Sequence, residues 1–254
     1  MTNVYKMDMH RLTHSLVFYI SLIFISVMAF ALPYSGMADT MEGLMGVAGE
    51  AGSGDDFMTS AMGAGVIYIL LGIILSIFVC GDYSGGFGKN IFTTHSNPKD
   101  YIIGKLEAMA VTSGLFLAIY TIESAIFLFI ITGRVELSGG IAGLLLFFLE
   151  KWLLSIAFSG VVLLVLIFTR NMAWGIVAAF LIATGGLAMG VAMLAEWTGF
   201  LWLKTIFSVA ISGASSLCTL TVQPVVFLRV LLATVVWLVI AYIGNSQLLR
   251  KKDI

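Results

Sequence analysis

The stretch IFSVAISGASSLCTLTV, Ile206 to Val222, decides how this chain is threaded, because it is apolar enough to cross a membrane yet rich in Gly, Ser and Thr and followed by Pro224. If it crossed as a helix, the next apolar run, about Val225 to Gly244, would carry Arg250, Lys251 and Lys252 to the face opposite the other basic segments. Cytoplasmic segments collect Lys and Arg, which argues against that threading. A re-entrant segment that dips in from outside keeps the basic tail in the cytoplasm. Non-helical backbone at depth is tolerated where other protein covers it.

The rest of the chain has the composition of an all-α polytopic membrane protein. Hydrophobic residues make up 60% and charged residues 11%, and the mean hydropathy is +1.05. Several runs reach the roughly 20 apolar residues that a helix needs to cross about 30 Å of hydrocarbon. The net charge of -1 says little about partners, since charge placement carries the information.

The run from about Ser15 to Leu32 follows Lys6 and Arg11 and ends in Ala29, Phe30, Ala31, a triplet like a signal-peptide cleavage site. Its length favours a retained first span instead. Pro33 to Phe57 holds Asp39, Glu42, Glu50, Asp55 and Asp56 but no lysine or arginine, as an outer loop does. A second span, about Met58 to Cys80, returns to a segment with Lys89, Lys99 and Lys105, which marks the cytoplasmic side, and a third runs over about Ala108 to Thr132.

Gly139 to Thr169 is interrupted by Glu150 and Lys151. The simplest account makes Gly139 to Leu149 an outer interfacial helix and starts the fourth span at Trp152, ending near Thr169. Arg170 then marks the inside, and a fifth span, about Met172 to Leu194, ends at Glu196, Trp197 and Trp202, an aromatic cluster suited to the outer boundary. The expectation is a single transmembrane domain over 1–254 with six spans and both termini inside. That layout puts nine of the thirteen Lys and Arg residues in cytoplasmic segments or tails.

GDYSGGFGKN, Gly81 to Asn90, invites a phosphate-binding reading, which the spacing excludes. A P-loop ending at Gly88 and Lys89 would need glycine at Tyr83 and a hydroxyl at Asn90. No G-x-G-x-x-G, H-E-x-x-H or G-x-S-x-G pattern is present either. Cys80 and Cys218 fall at opposite ends of the predicted layout, and His10, His14 and His95 show no paired-ligand spacing, so no metal site is expected.

The run Asp82, Tyr83, Gly86, Lys89, Asn90, then Pro98, Lys99, Tyr101 and Lys105 resembles the intracellular loop of ABC type-2 transporter permeases. The six-span layout and the re-entrant segment resemble that family too, while Phe87 departs from the small Thr or Ser often found there. The resemblance implies a permease without an ATPase of its own, with no cofactor on this chain. ATP and Mg would sit on two cytosolic ATPase subunits, and a second permease, identical or homologous, would complete the assembly in a bacterial cytoplasmic membrane. It further implies that a short coupling helix, about Gly86 to His95, docks on the ATPase through Phe87, Ile91 and Phe92. The ATPase-coupling set is then Asp82, Tyr83, Gly86, Phe87, Lys89, Asn90, Ile91 and Phe92. The local chemistry is compatible, since aromatic anchors dominate such contacts; a solvated loop with a snorkelling aromatic is the plainer alternative. Asn97 before Pro98 reads as a helix N-cap.

Ionisable groups within spans are costly and mark function. Glu123 lies inside the third span and Arg229 about one turn into the sixth, so they are candidates for an interhelical pair or a substrate path, as are Glu150 and Lys151. The leading function is export of an amphipathic or lipophilic substrate, such as an antimicrobial or toxin peptide, by analogy with small six-span permeases of this type. The alternatives are a secondary transporter using Glu123 and a non-transporting immunity protein that sequesters a toxin through the acidic segment. No nucleic-acid partner is expected.

Overall fold

The computed structural model describes residues 2–44, 55, 58–59, 65–84, 98–132, 135, 137–199 and 210–251. Among them nine long or short helices follow one another: α1 Thr2–Thr13, α2 Leu16–Leu44, α3 Val66–Ser84, α4 Pro98–Thr132, α5 Gly140–Thr169, α6 Met172–Ala183, α7 Gly186–Thr198, α8 Ile211–Leu217 and α9 Pro224–Lys251. Four of these helices (α3, α4, α5 and α9) are long and apolar enough to cross a membrane, and the bent pair α1–α2 makes a fifth. The protein is therefore an all-helical chain with the features of a multi-pass membrane protein.

Their surfaces fit that solvent. Leu16, Ile23, Ile130, Ile141, Val225 and Leu228 lie more than half exposed on the outside of the bundle, while Leu71, Phe116, Phe158, Val162 and Leu166 fill its centre. Helices in lipid gain little from apolar burial against one another and associate through close packing of small residues. Gly72 on α3 meets Ala179 on α6, and Gly160 on α5 meets Ala241 on α9, each too close for a larger side chain.

The helix boundaries correct several expectations. Ser15 accepts a hydrogen bond from the Phe18 amide and so caps α2, where the axis turns by 65° from α1. That helix then continues past Pro33 to Leu44, so the first part of the expected outer loop is helical. The expected second span is α3, Val66 to Ser84, which carries Asp82 and Tyr83 into its last turn instead of a loop. As the Asn97–Pro98 pair predicts, α4 begins with proline at its first position, ten residues ahead of the expected span.

The largest differences lie beyond Gly139. A single helix of 30 residues, α5, passes through Glu150 and Lys151 without a break, so no separate interfacial helix exists. The expected fifth span is broken in two instead: α6 ends at Ala183 and α7 starts at Gly186, with Gly185 in the left-handed region at φ 74°. Glycine takes that conformation at no steric cost, which explains why the break falls there. The sixth expected span begins one residue early, at Pro224, and continues to Lys251.

The opening stretch, as far as it is described, forms only the seven-residue α8 followed by extended backbone. At 1.5 Å per residue such a helix is about 10 Å long and cannot cross a membrane. Ser215 on α8 lies level with Lys151, about 16 Å along α5. Five residues later the Leu220 carbonyl packs on Gly139 and Gly143 at the start of α5, so closely that a methyl at either glycine would overlap it. The segment thus climbs from mid-bundle to one end, held among α5, α6 and α9. α9 leaves from that end and runs alongside α5 in the same direction, with Gly160 beside Ala241 and Gly244 beside Leu164.

Candidate functional site

Two polar groupings stand out against this apolar bundle. The first lies where α1, the last turn of α3 and the first turns of α4 converge. The Asp82 carboxylate accepts from Arg11 at 2.6 Å, from the Lys105 ammonium at 2.7 Å and from the Tyr101 hydroxyl at 3.2 Å. Lys105 also reaches Asp8 at 2.9 Å, and Arg11 stands 4.0 Å from the same carboxylate.

Two acids and two bases therefore balance in one cluster, and Asp8, Asp82 and Lys105 are almost wholly buried. Removing such charges from water costs several kcal/mol per ion, which mutual contact offsets only when geometry is good. Here the ammonium also sits 5.2 Å from the Phe78 ring centre and 5.4 Å from Tyr101. Asp8 is held chiefly by the Lys105 ammonium. Its Oδ2 lacks a hydrogen-bond partner among the described residues. Beside the cluster, Arg170 caps the end of α5 in a left-handed conformation and stacks its guanidinium 5.3 Å from the Tyr83 ring centre.

Of the sequence-predicted coupling set, Asp82 and Tyr83 thus become the anchors of this cluster. Gly86, Phe87, Lys89, Asn90, Ile91 and Phe92 lie outside the described residues. Sequence reading missed Asp8 altogether and took Arg11 only as a basic flank of the first span. The signal was present as an acidic and a basic residue one turn apart on a helix ahead of an apolar run, but neither has a local reason to be buried.

The second grouping lies at the other end of α3, where α5, α6 and α8 surround a cavity of about 610 Å³. Glu150 and Lys151 are both buried, yet no ion pair joins them among the described residues. Successive helical residues point about 100° apart, so the two side chains diverge. Lys151 turns to the cavity and donates to the carbonyl and the hydroxyl of Ser215, both at 2.7 Å. Glu150 approaches the Cys218 thiol, and its Oε2 has no hydrogen-bond partner among the described residues.

The other intramembrane candidates are not brought together. Glu123 on α4 accepts a 2.9 Å hydrogen bond from Ser26 on α2, with its second oxygen unpartnered among the described residues, while Arg229 is exposed near the start of α9. Phe30 meets Phe127 edge to face nearby, so the Glu123 contact lies within an α2–α4 seam. Cys80 and Cys218 are both free thiols, and no cluster of metal-ligating side chains occurs among the described residues.

No protein-family model, curated protein or solved structure matches the chain.

Proposed function

We propose that the chain is the permease subunit of an ATP-driven ABC exporter, moving an amphipathic or lipophilic substrate such as an antimicrobial or toxin peptide across a bacterial cytoplasmic membrane. The observation that carries this reading is the clamp around Asp82. Residues 85–97 leave α3 just after Asp82 and return into α4 just before Tyr101 and Lys105. Because Asp82 binds both Tyr101 and Lys105, the two roots of that segment are tied together, and Arg11 adds α1 to the same knot.

A push on this segment therefore acts on three helices at once instead of being absorbed by a slack loop. That is the mechanical property a docking segment for a separate ATPase requires. In this reading Gly86, Phe87, Lys89, Asn90, Ile91 and Phe92 meet the ATPase, which supplies ATP and Mg, and two permeases pair with two ATPases. The six-span topology belongs to the same proposal, with the charged end cytoplasmic, α6 and α7 together forming the fifth crossing and α8 re-entrant from outside.

The test is transport. Inverted vesicles from cells making this chain together with its ATPase should take up a fluorescent amphipathic peptide only with ATP, and vesicles holding the purified chain alone should not. Uptake by the chain alone would overturn the proposal. A secondary transporter has one observation in its favour, the Glu123 Oε2 inside α4, which has no partner among the described residues. Under that reading Glu123→Gln abolishes transport, whereas the ATP-driven reading keeps it.

A further inference from the structure

The cavity at the Lys151 end is unlike the clamp because, among the described residues, its one charged lining group is a cation. Hydroxyls of Tyr68, Thr184, Ser212 and Ser215 share the wall with apolar side chains such as Phe147 and Ile182, and no carboxylate is among the described lining residues. From these features we infer that the cavity binds an oxyanion, a phosphate- or carboxylate-type group, through the Lys151 ammonium and the surrounding hydroxyls. The inference is independent of any ATPase partner.

A lysine ammonium has three N–H donors, and Ser215 takes two of them. A buried cation held only by neutral acceptors is under-compensated, because burial of a charge is costly unless an opposite charge approaches. Glu150 does not supply that charge by contact, since no ion pair joins it to Lys151 among the described residues and it is absent from the described lining, although Cys218, which it approaches, is part of that lining. An oxyanion beside Lys151 would take the third donor, and charge-assisted bonds of that kind are about twice as strong as neutral ones.

The hydroxyls are disposed to help. Ser215 Oγ accepts from Lys151 and keeps its own proton to donate. The Tyr68 hydroxyl lies close to Ser215 without closing a hydrogen bond. The volume, about 610 Å³, falls within the roughly 300–1,000 Å³ of small-ligand sites. Broken backbone also surrounds it, with the α6–α7 break at Gly185 packed on Ser212, and irregular backbone inside a bundle persists where it is covered by protein or lines a cavity.

The source of the oxyanion separates into two arms, an amphiphile headgroup or a free anion. Full-length protein in uncharged maltoside detergent would be titrated with dodecyl phosphate, inorganic phosphate and dodecyltrimethylammonium, with binding read by calorimetry and by the shift in unfolding midpoint. At least one phosphate probe should bind saturably and raise the midpoint, and the ammonium probe should not. Tighter binding of dodecyl phosphate identifies a headgroup site, and equal binding of inorganic phosphate identifies a free-anion site; both support the inference. Lys151→Met and, with the lysine intact, Ser212→Leu should each weaken binding by about tenfold or more, while Lys151→Arg should retain it. No saturable phosphate binding, or binding that survives both Ser212→Leu and Lys151→Met in folded protein, would overturn the inference.

Discussion

Lys105 and Lys151 are both almost completely buried in helices, yet they sit in opposite electrostatic settings. Lys105 has two carboxylates within 3 Å, at 2.9 Å and 2.7 Å. Lys151 has a hydroxyl and a carbonyl of one serine. The difference separates a cation used to tie helices together from one left available. The first is neutralised and links three elements that are distant in sequence. The second faces a cavity, and its compensation is incomplete without a ligand.

Substitution by methionine, which keeps volume and removes charge, should break this comparison most visibly. Lys105→Met strands Asp8 and Asp82 with only Arg11 between them, and breaking a buried pair in this way costs about 3–5 kcal/mol. Lys151→Met strands no contacting carboxylate, so its unfolding midpoint in mixed micelles should stay near that of the parent protein. Equal losses for the two variants would erase the distinction.

Gly143→Ala ranks next. The added methyl overlaps the Leu220 carbonyl, a backbone atom that cannot rotate away, so the segment that follows α8 must shift from α5. Overpacking of this kind costs about 1–3 kcal/mol. It should also weaken phosphate binding at Lys151, since Ser215 on α8 leads into the displaced segment; a large loss of stability with unchanged binding would separate the segment from the cavity.

Much of the helical architecture was legible in the sequence, and the reasons for what was not are physical. Membrane character follows from apolar run length, and Pro98 and Pro224 mark helix starts because proline's missing donor is harmless there. The continuity of α5 was hidden because a hydropathy window registers Glu150 and Lys151 as interruptions. Ser215, which takes two of the Lys151 donors, lies 64 residues away. The break between α6 and α7 did leave a trace in the tandem Gly185–Gly186, a breaker signal inside an apolar run. Lys105 read as a marker of the cytoplasmic side, and its burial depends on Asp8 and Asp82, on two other helices. Glu123 and Arg229 are not paired although α4 and α9 touch, because Arg229 is exposed near the start of α9 and contact between two helices does not bring every residue of one to the other. Ser26 on α2 takes that place beside Glu123.

Smaller effects sharpen the same contrast. Tyr101→Phe removes one hydrogen bond from Asp82 while leaving both cations, so a loss of about 1 kcal/mol is expected in the same unfolding assay. Ser26→Ala leaves Glu123 without its one described partner and should cost about 1 kcal/mol or less if lipid-side water reaches the carboxylate. A loss as large as that of Lys105→Met would place Glu123 among the structural charges.

The most direct measurement is purification of the tagged full chain from its native membrane in mild detergent, with ATP hydrolysis read in the eluate. The account predicts a stoichiometric ATPase that co-elutes with the parent chain and is lost when Phe92→Asp and Lys89→Glu are combined, while the variant still folds and inserts. An eluate holding the chain alone without ATP hydrolysis, or an ATPase held equally by the double variant, would contradict it.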